Sequence, residues 1–208
     1  KPSLAGMGLW GGLAGLGLWA DGLTLVYTLP ALIYMAWQLK RESIRRVLTL
    51  SLALAAGGLI GALPWWLYAA RFGFSGLLAE LLGSAVAVEQ GSWLAKTGLH
   101  LVNWFLLGLP AALGLRPSWA VEWLGLPLIP LVLIAWGWVT WFWVKQAIQP
   151  GPSRPAFRLL GGVAGTLFAG FVFTSFGVDP SGRYFLPLAV PLALVAAECS
   201  RSIGRLGK

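Results

Sequence analysis

Ten Asp, Glu, Lys, Arg and His residues fall on the expected outer side of a membrane: Asp21, Arg71, Glu80, Glu89, Lys96, His100, Arg116, Glu122, Asp179 and Arg183. The densest chemistry lies in Asp179-Pro180-Ser181-Gly182-Arg183-Tyr184, with an acid, a guanidinium and a phenol inside six residues. Pro180 and Gly182 favour a tight turn, which lets Asp179 lie close to Arg183. A guanidinium held at a membrane surface can bind a phosphate through charge-assisted hydrogen bonds. The competing reading is a structural Asp–Arg pair that only closes the turn. His100, at the mouth of an apolar run, is either a base or a hydrogen-bonded structural histidine. Arg183, Tyr184, Asp179 and His100 are therefore the candidate substrate-binding residues. The others have plainer readings. Asp21 is a hairpin turn residue, Arg71 and Lys96 are interfacial anchors, Glu80 and Glu89 form the wet face of an amphipathic helix, and Arg116 and Glu122 make an interfacial loop pair.

Other chemistries lack their residues. One His and one Cys cannot build a zinc site by themselves. No glycine-rich phosphate loop precedes a Lys-Ser/Thr pair, and no G-x-S-x-G elbow occurs. This argues against an ATPase and a self-contained serine hydrolase. Cys199 cannot form an internal disulfide and is assigned no role. No catalytic residue is assigned within the chain.

The elements that must position these groups follow from composition. Of 208 residues, 58% are hydrophobic and only 11% charged, and mean hydropathy is +0.77. Soluble domains carry about 25% charged residues. So few charges cannot cover a water-facing surface, and so apolar a chain is not disordered. The 13 Trp and 28 Gly suit a membrane, where Trp gathers at interfaces and Gly is frequent in helices.

The net charge of +8 does not indicate nucleic acid. Lys40, Arg41, Arg45 and Arg46, offset by Glu42, form one basic group; Lys145, Arg154 and Arg158 form a second; Arg201, Arg205 and Lys208 form a third. Each abuts an apolar run, which is the pattern that orients membrane proteins with basic loops inside.

Spanning helices need about 20 mostly apolar residues. Six segments fit: Leu4–Ala20, Leu23–Leu39, Val47–Ala69, Leu124–Val144, Leu159–Val178 and Phe185–Ser200. The first two, joined by Asp21-Gly22, read as a hairpin with Asp21 outside and Lys40–Arg46 inside. Leu99–Leu115 is also apolar. If 40–46 and 145–158 share a side, the crossings between them must be even. Either Phe72–Val88 also crosses, despite Glu80, or Leu99–Leu115 enters and returns, with Pro110 breaking it. The second option is preferred, because a carboxylate at mid-depth is costly. The expected fold is all-α, a polytopic transmembrane bundle in one domain over 1–208, with six segments plus a seventh or re-entrant element. Gly8/Gly12, Gly11/Gly15, Gly57/Gly61 and Gly161/Gly165 carry the small-xxx-small spacing that lets helices pack closely, expected inside the bundle. The chain opens at Lys1 straight into an apolar run, and reads as the C-terminal part of a longer protein.

Several stretches resemble one family. Ser181-Gly182-Arg183-Tyr184-Phe185-Leu186-Pro187-Leu188, with Pro191-Leu192-Ala193-Leu194, resembles the late GRYLLPL…PPLAL element of C-type membrane glycosyltransferases. That family includes bacterial protein O-mannosyltransferase-like and aminoarabinose transferase-like proteins. Gly17-Leu18-Trp19-Ala20-Asp21-Gly22-Leu23, with Tyr27 and Pro30, is similar to their mid-chain hairpin, with Asp21 standing where the family has an uncharged residue. Ala62-Leu63-Pro64-Trp65-Trp66-Leu67-Tyr68 is similar to their SSPWWLYN helix end, and Gly114-Leu115-Arg116-Pro117-Ser118-Trp119 to a GLRPPW element. The resemblance implies a multi-pass protein of the bacterial inner membrane. It implies transfer of a sugar from a polyprenyl-phosphate donor to an acceptor on the outer face. It places the catalytic acid in an outer loop upstream of these residues, and leaves Arg183, with Tyr184 beside it, as the phosphate ligand. A divalent metal is compatible with such chemistry, but no ligand set here demands one. The implied partners are the lipid bilayer and the donor lipid.

The alternative is a transporter or flippase-like protein. Transporters tend to place ionisable groups at mid-depth and to show internal repeats. Here the charges gather at the expected surfaces and no repeat is evident. A non-catalytic scaffold is a third reading.

Overall fold

A computed structural model describes residues 2–40, 42–77, 92–117, 119–124, 126–178 and 183–206. The helices, in chain order, are α1 (Leu4–Ala20), α2 (Leu25–Leu39), α3 (Ile44–Gly61), α4 (Leu63–Phe72), α5 (Trp93–Val102), α6 (Leu109–Ala112), α7 (Ile129–Ile148), α8 (Arg154–Phe173) and α9 (Leu186–Leu206). Among the described residues there are no strands. Five segments are long and apolar enough to cross a membrane: Gly22–Leu39, Ile44–Gly61, Leu126–Ile148, Arg154–Phe173 and Leu186–Gly204. Leu4–Ala20 is a shorter apolar helix. The chain is thus an all-helical, multi-pass membrane protein. Five of the expected segments reach spanning length among the described residues. Much of Phe72–Val88, with Glu80, and also Glu89, lies outside those residues.

The chain divides into two compact units, Lys1–Val86 and Ala87–Lys208. In the first, Asp21 ends α1 and starts the return. Its carboxylate accepts the Leu23 N–H at 2.9 Å, and its carbonyl accepts both the Thr24 N–H and the Thr24 hydroxyl. This is the turn chemistry expected of Asp. Met7, Leu39 and Leu50 form one buried cluster. The start of α1, the end of α2 and the start of α3 therefore meet at one end, and Asp21 lies at the other.

Helices α1 and α3 run parallel with their backbones in contact. A methyl group on Gly11 would overlap the Leu54 carbonyl, and one on Gly15 the Gly58 carbonyl. Methyl groups on Gly57 and Gly61 would overlap the carbonyls of Gly8 and Gly12. In lipid no hydrophobic force drives helices together, so close packing of this kind carries the association. Three of the four glycine pairs serve as expected. Gly161/Gly165 does not: no described atom lies within 4 Å of a Cβ built on Gly165, and only the Trp143 indole nitrogen reaches Gly161, at 4.0 Å.

The run Val47–Ala69 is not one helix. It breaks at Ala62, between α3 and α4, two residues before Pro64. Proline supplies no N–H and fits only the first turn of a helix. The break leaves end carbonyls on α3 in need of donors, and the Trp66 indole N–H takes the Leu59 carbonyl at 3.1 Å.

In the second unit α7, α8 and α9 meet around buried Phe142, Phe157, Val195 and Cys199. The Trp143 indole donates to the Phe157 carbonyl at 2.9 Å. The basic stretch 145–158 is not all loop. Lys145 closes the last turn of α7, and α8 already begins at Arg154. Pro155 near the start of α8 is compatible with helix there, because the first-turn N–H groups have no partner to lose. Starting early, α8 also ends early, at Phe173 instead of Val178.

Leu99–Leu115 does not double back. Helical winding runs unbroken from Trp93 to Ala112, with a π turn over Asn103–Gly108. Pro110 cannot donate to Leu106, and a π turn is one way for a helix to absorb such a residue without a break. The rod ends in a Schellman cap: the Leu115 N–H bonds the Pro110 carbonyl at 2.8 Å, the Gly114 N–H bonds that of Ala111 at 3.1 Å, and Gly114 has φ +77°. That left-handed position suits glycine.

Candidate functional site

The early end of α8 leaves Thr174–Val178 as part of the connection to α9, directly before the expected phosphate-binding turn. Ser175–Val178 forms one tight turn and Arg183–Phe185 another. Helix α5 and its π turn run antiparallel to α8 and hold this connection.

His100 is buried, at 3% exposure. Its Nδ1 lies 2.9 Å from the Val172 carbonyl. A carbonyl only accepts, so Nδ1 carries the proton. Val172 is in the last turn of α8, where carbonyls lack partners within the helix. His100 therefore caps α8 from a neighbouring helix. Its ring packs against Gly177, where a methyl group would overlap both the imidazole and the Phe171 carbonyl. One helical turn on, Asn103 is also buried, at 7%, and its amide donates to the Gly177 carbonyl at 2.8 Å.

Phe185 secures the far side. It is 2% exposed and contacts Trp104 and Phe171, with ring centroids 4.6 and 4.9 Å away. Its ring fills the space that a side chain on Gly108 would need. In an unbroken α-helix Gly108 would sit about 80° round the axis from His100. The wider π turn advances less per residue and carries Gly108 back toward that face. Tyr184 is half-buried beside Phe176, with centroids 5.2 Å apart.

Of the four residues read as substrate-binding, His100 and Tyr184 thus belong to one assembly with the connection. Arg183 opens the turn whose third residue is Phe185. Asp179 lies outside the described residues. Arg116 departs from its expected place. It is buried, at 4% exposure, while Glu122 is exposed, and the two form no ion pair among the described residues. The Leu124 N–H bonds the Leu115 carbonyl at 2.8 Å, which ties the two flanks of this segment together. The Arg116 Nε donates to the Pro117 carbonyl at 3.1 Å. Among the described residues no three His, Cys, Asp or Glu side chains gather as a metal site would require.

Charge alone does not point to Asn103, Gly108, Gly177 or Phe185. Asn103 carried a usable signal: a lone amide inside an apolar run needs a partner and is seldom idle. Comparison with protein families, with curated proteins and with solved structures found nothing that matches the chain.

Proposed function

We propose that the chain is part of a bacterial inner-membrane glycosyltransferase that moves a sugar from a polyprenyl-phosphate donor to an acceptor on the outer face. In this reading the acceptor hydroxyl attacks the sugar C1 and the bond from C1 to the phosphate oxygen breaks. The lipid phosphate leaves with the electron pair. The acceptor proton passes to an ionised carboxylate, acting as general base, that the family resemblance places upstream of these residues. The Arg183 guanidinium stabilises the departing phosphate.

The observation that supports this is the anchoring of the Arg183–Phe185 turn. Phe185 is seated against Gly108, Trp104 and Phe171, and the preceding turn is held by His100 and Asn103. A phosphate ligand works best when its backbone is fixed before the substrate arrives, because less reorganisation then opposes the reaction. Sugar transfer from a polyprenyl-phosphate donor, assayed in membranes carrying the complete protein, should fall about 10²-fold in Arg183→Ala, with expression and elution unchanged. Unaltered turnover removes Arg183 from the reaction. Solute uptake into proteoliposomes without sugar transfer would replace the enzyme with a transporter.

A further inference from the structure

A second place in the molecule is suited to a ligand, and its case does not depend on the transferase reading. Where the first turns of α1 and α3 meet, a pocket of about 430 Å³ is lined by Pro2, Ser3, Leu4, Ser43, Arg45, Arg46, Thr49 and Leu50. We propose that it binds the phosphate of an anionic glycerophospholipid, with one acyl chain lying along the α1–α3 pair.

Charge comes first. Arg46 is committed: its Nε pairs with Glu42 at 3.3 Å, and its terminal nitrogen reaches the Pro2 carbonyl at 3.4 Å. That strap ties α1 to α3 and neutralises the acid. Arg45 is exposed, and among the described residues its guanidinium has no ion pair or hydrogen bond. The pocket therefore presents an unspent cation. Its hydroxyls are suitable as well. Ser43 makes no capping bond with its side chain. Ser3 accepts the Gly6 N–H at 3.0 Å, which leaves its own proton to donate. A phosphodiester takes just such a set of donors.

The apolar wall selects a lipid over a free anion. Leu4 and Leu50 line the same pocket. Further along the same two helices lies an open groove of about 510 Å³, lined by residues that include Leu9, Leu13, Leu16 and Ile60. Leu4, Gly8, Gly12 and Leu16 recur every fourth residue, so one stripe of α1 runs from pocket to groove. The polar pocket sits at the end of membrane-length α3, where headgroups lie, and the groove lies where acyl chains lie. Basic pockets between membrane helices are known binders of anionic headgroups.

The test is native mass spectrometry of the detergent-purified protein offered phosphatidylglycerol, phosphatidylcholine or inorganic phosphate. One phosphatidylglycerol should be retained, phosphatidylcholine should not, and excess inorganic phosphate should leave the lipid bound. Arg45→Gln should reduce retention about fivefold, while Arg45→Lys and Arg201→Gln, a change outside the pocket lining, should keep it. An unchanged elution volume confirms that each variant folds. Equal retention of both lipids, displacement by inorganic phosphate, or full retention in a folded Arg45→Gln would each overturn the proposal.

Discussion

The Phe185 ring occupies the volume that a side chain at Gly108 would fill. These residues lie far apart in sequence, one in a π turn and the other in the short turn before α9. Their fit decides where Arg183 and Tyr184 stand. Each residue alone should be intolerant of change. Phe185→Ala should cost about 3 kcal/mol through the void it leaves, and Gly108→Leu should destabilise by displacing the ring. Combined, the two changes should recover part of the loss, because the new leucine enters the space the phenyl vacated. Thermal or SDS-induced unfolding of the four proteins completes the cycle, and simple additivity would show that the residues do not share the space.

The amide of Asn103 should matter more to position than to stability. Interhelical hydrogen bonds in membranes average about 0.6 kcal/mol. Asn103→Leu should therefore shift unfolding by only about 1 kcal/mol while releasing the Gly177 carbonyl that it holds. If the connection positions Arg183, this variant should lower donor-dependent transfer well beyond what its stability predicts. Transfer that falls only in step with stability would assign Asn103 a structural role alone.

Glycines of the same spacing should behave differently. Gly57→Val should separate α1 from α3, because its side chain would run into the Gly8 backbone, and the loss should exceed about 2 kcal/mol. Gly165→Ala should be neutral or slightly stabilising, since open space surrounds that position and alanine is the better helix former. Unfolding of the two variants under one condition is a sufficient comparison.

The orientation of the first hairpin is open to labelling. Cys199, the single native cysteine, is 3% exposed and should give little background. Asp21→Cys should react with an impermeant maleimide added to intact cells, and Lys40→Cys only after the membrane is opened. Labelling of both from outside would refute the hairpin.

Much of this was legible in the residues. The limits of α1, the Asp21 turn and three glycine pairs follow from local chemistry: short apolar runs, an Asx turn, and backbones free of side chains. Sequence places the start of α8 too late because three prolines and three cations around 145–158 resemble a loop, although Pro155 and Arg158 are both compatible with a helix start. Leu99–Leu115 reads as broken in sequence because Pro110 usually interrupts a helix, whereas a π turn leaves no mark of its own in composition. The seat of Phe185 was invisible for a different reason. Hydropathy marks a phenylalanine as apolar, but only the fold shows which glycine makes room for it.

The π turn also keys the two ends of its rod to each other. Adding or deleting one residue between His100 and Gly108 would swing the glycine about 100° away from the histidine's face. One end could then still grip the connection, but the notch that receives Phe185 would point elsewhere. The count of residues along this stretch is therefore as much a part of the design as their identity, as the number of teeth is to a gear.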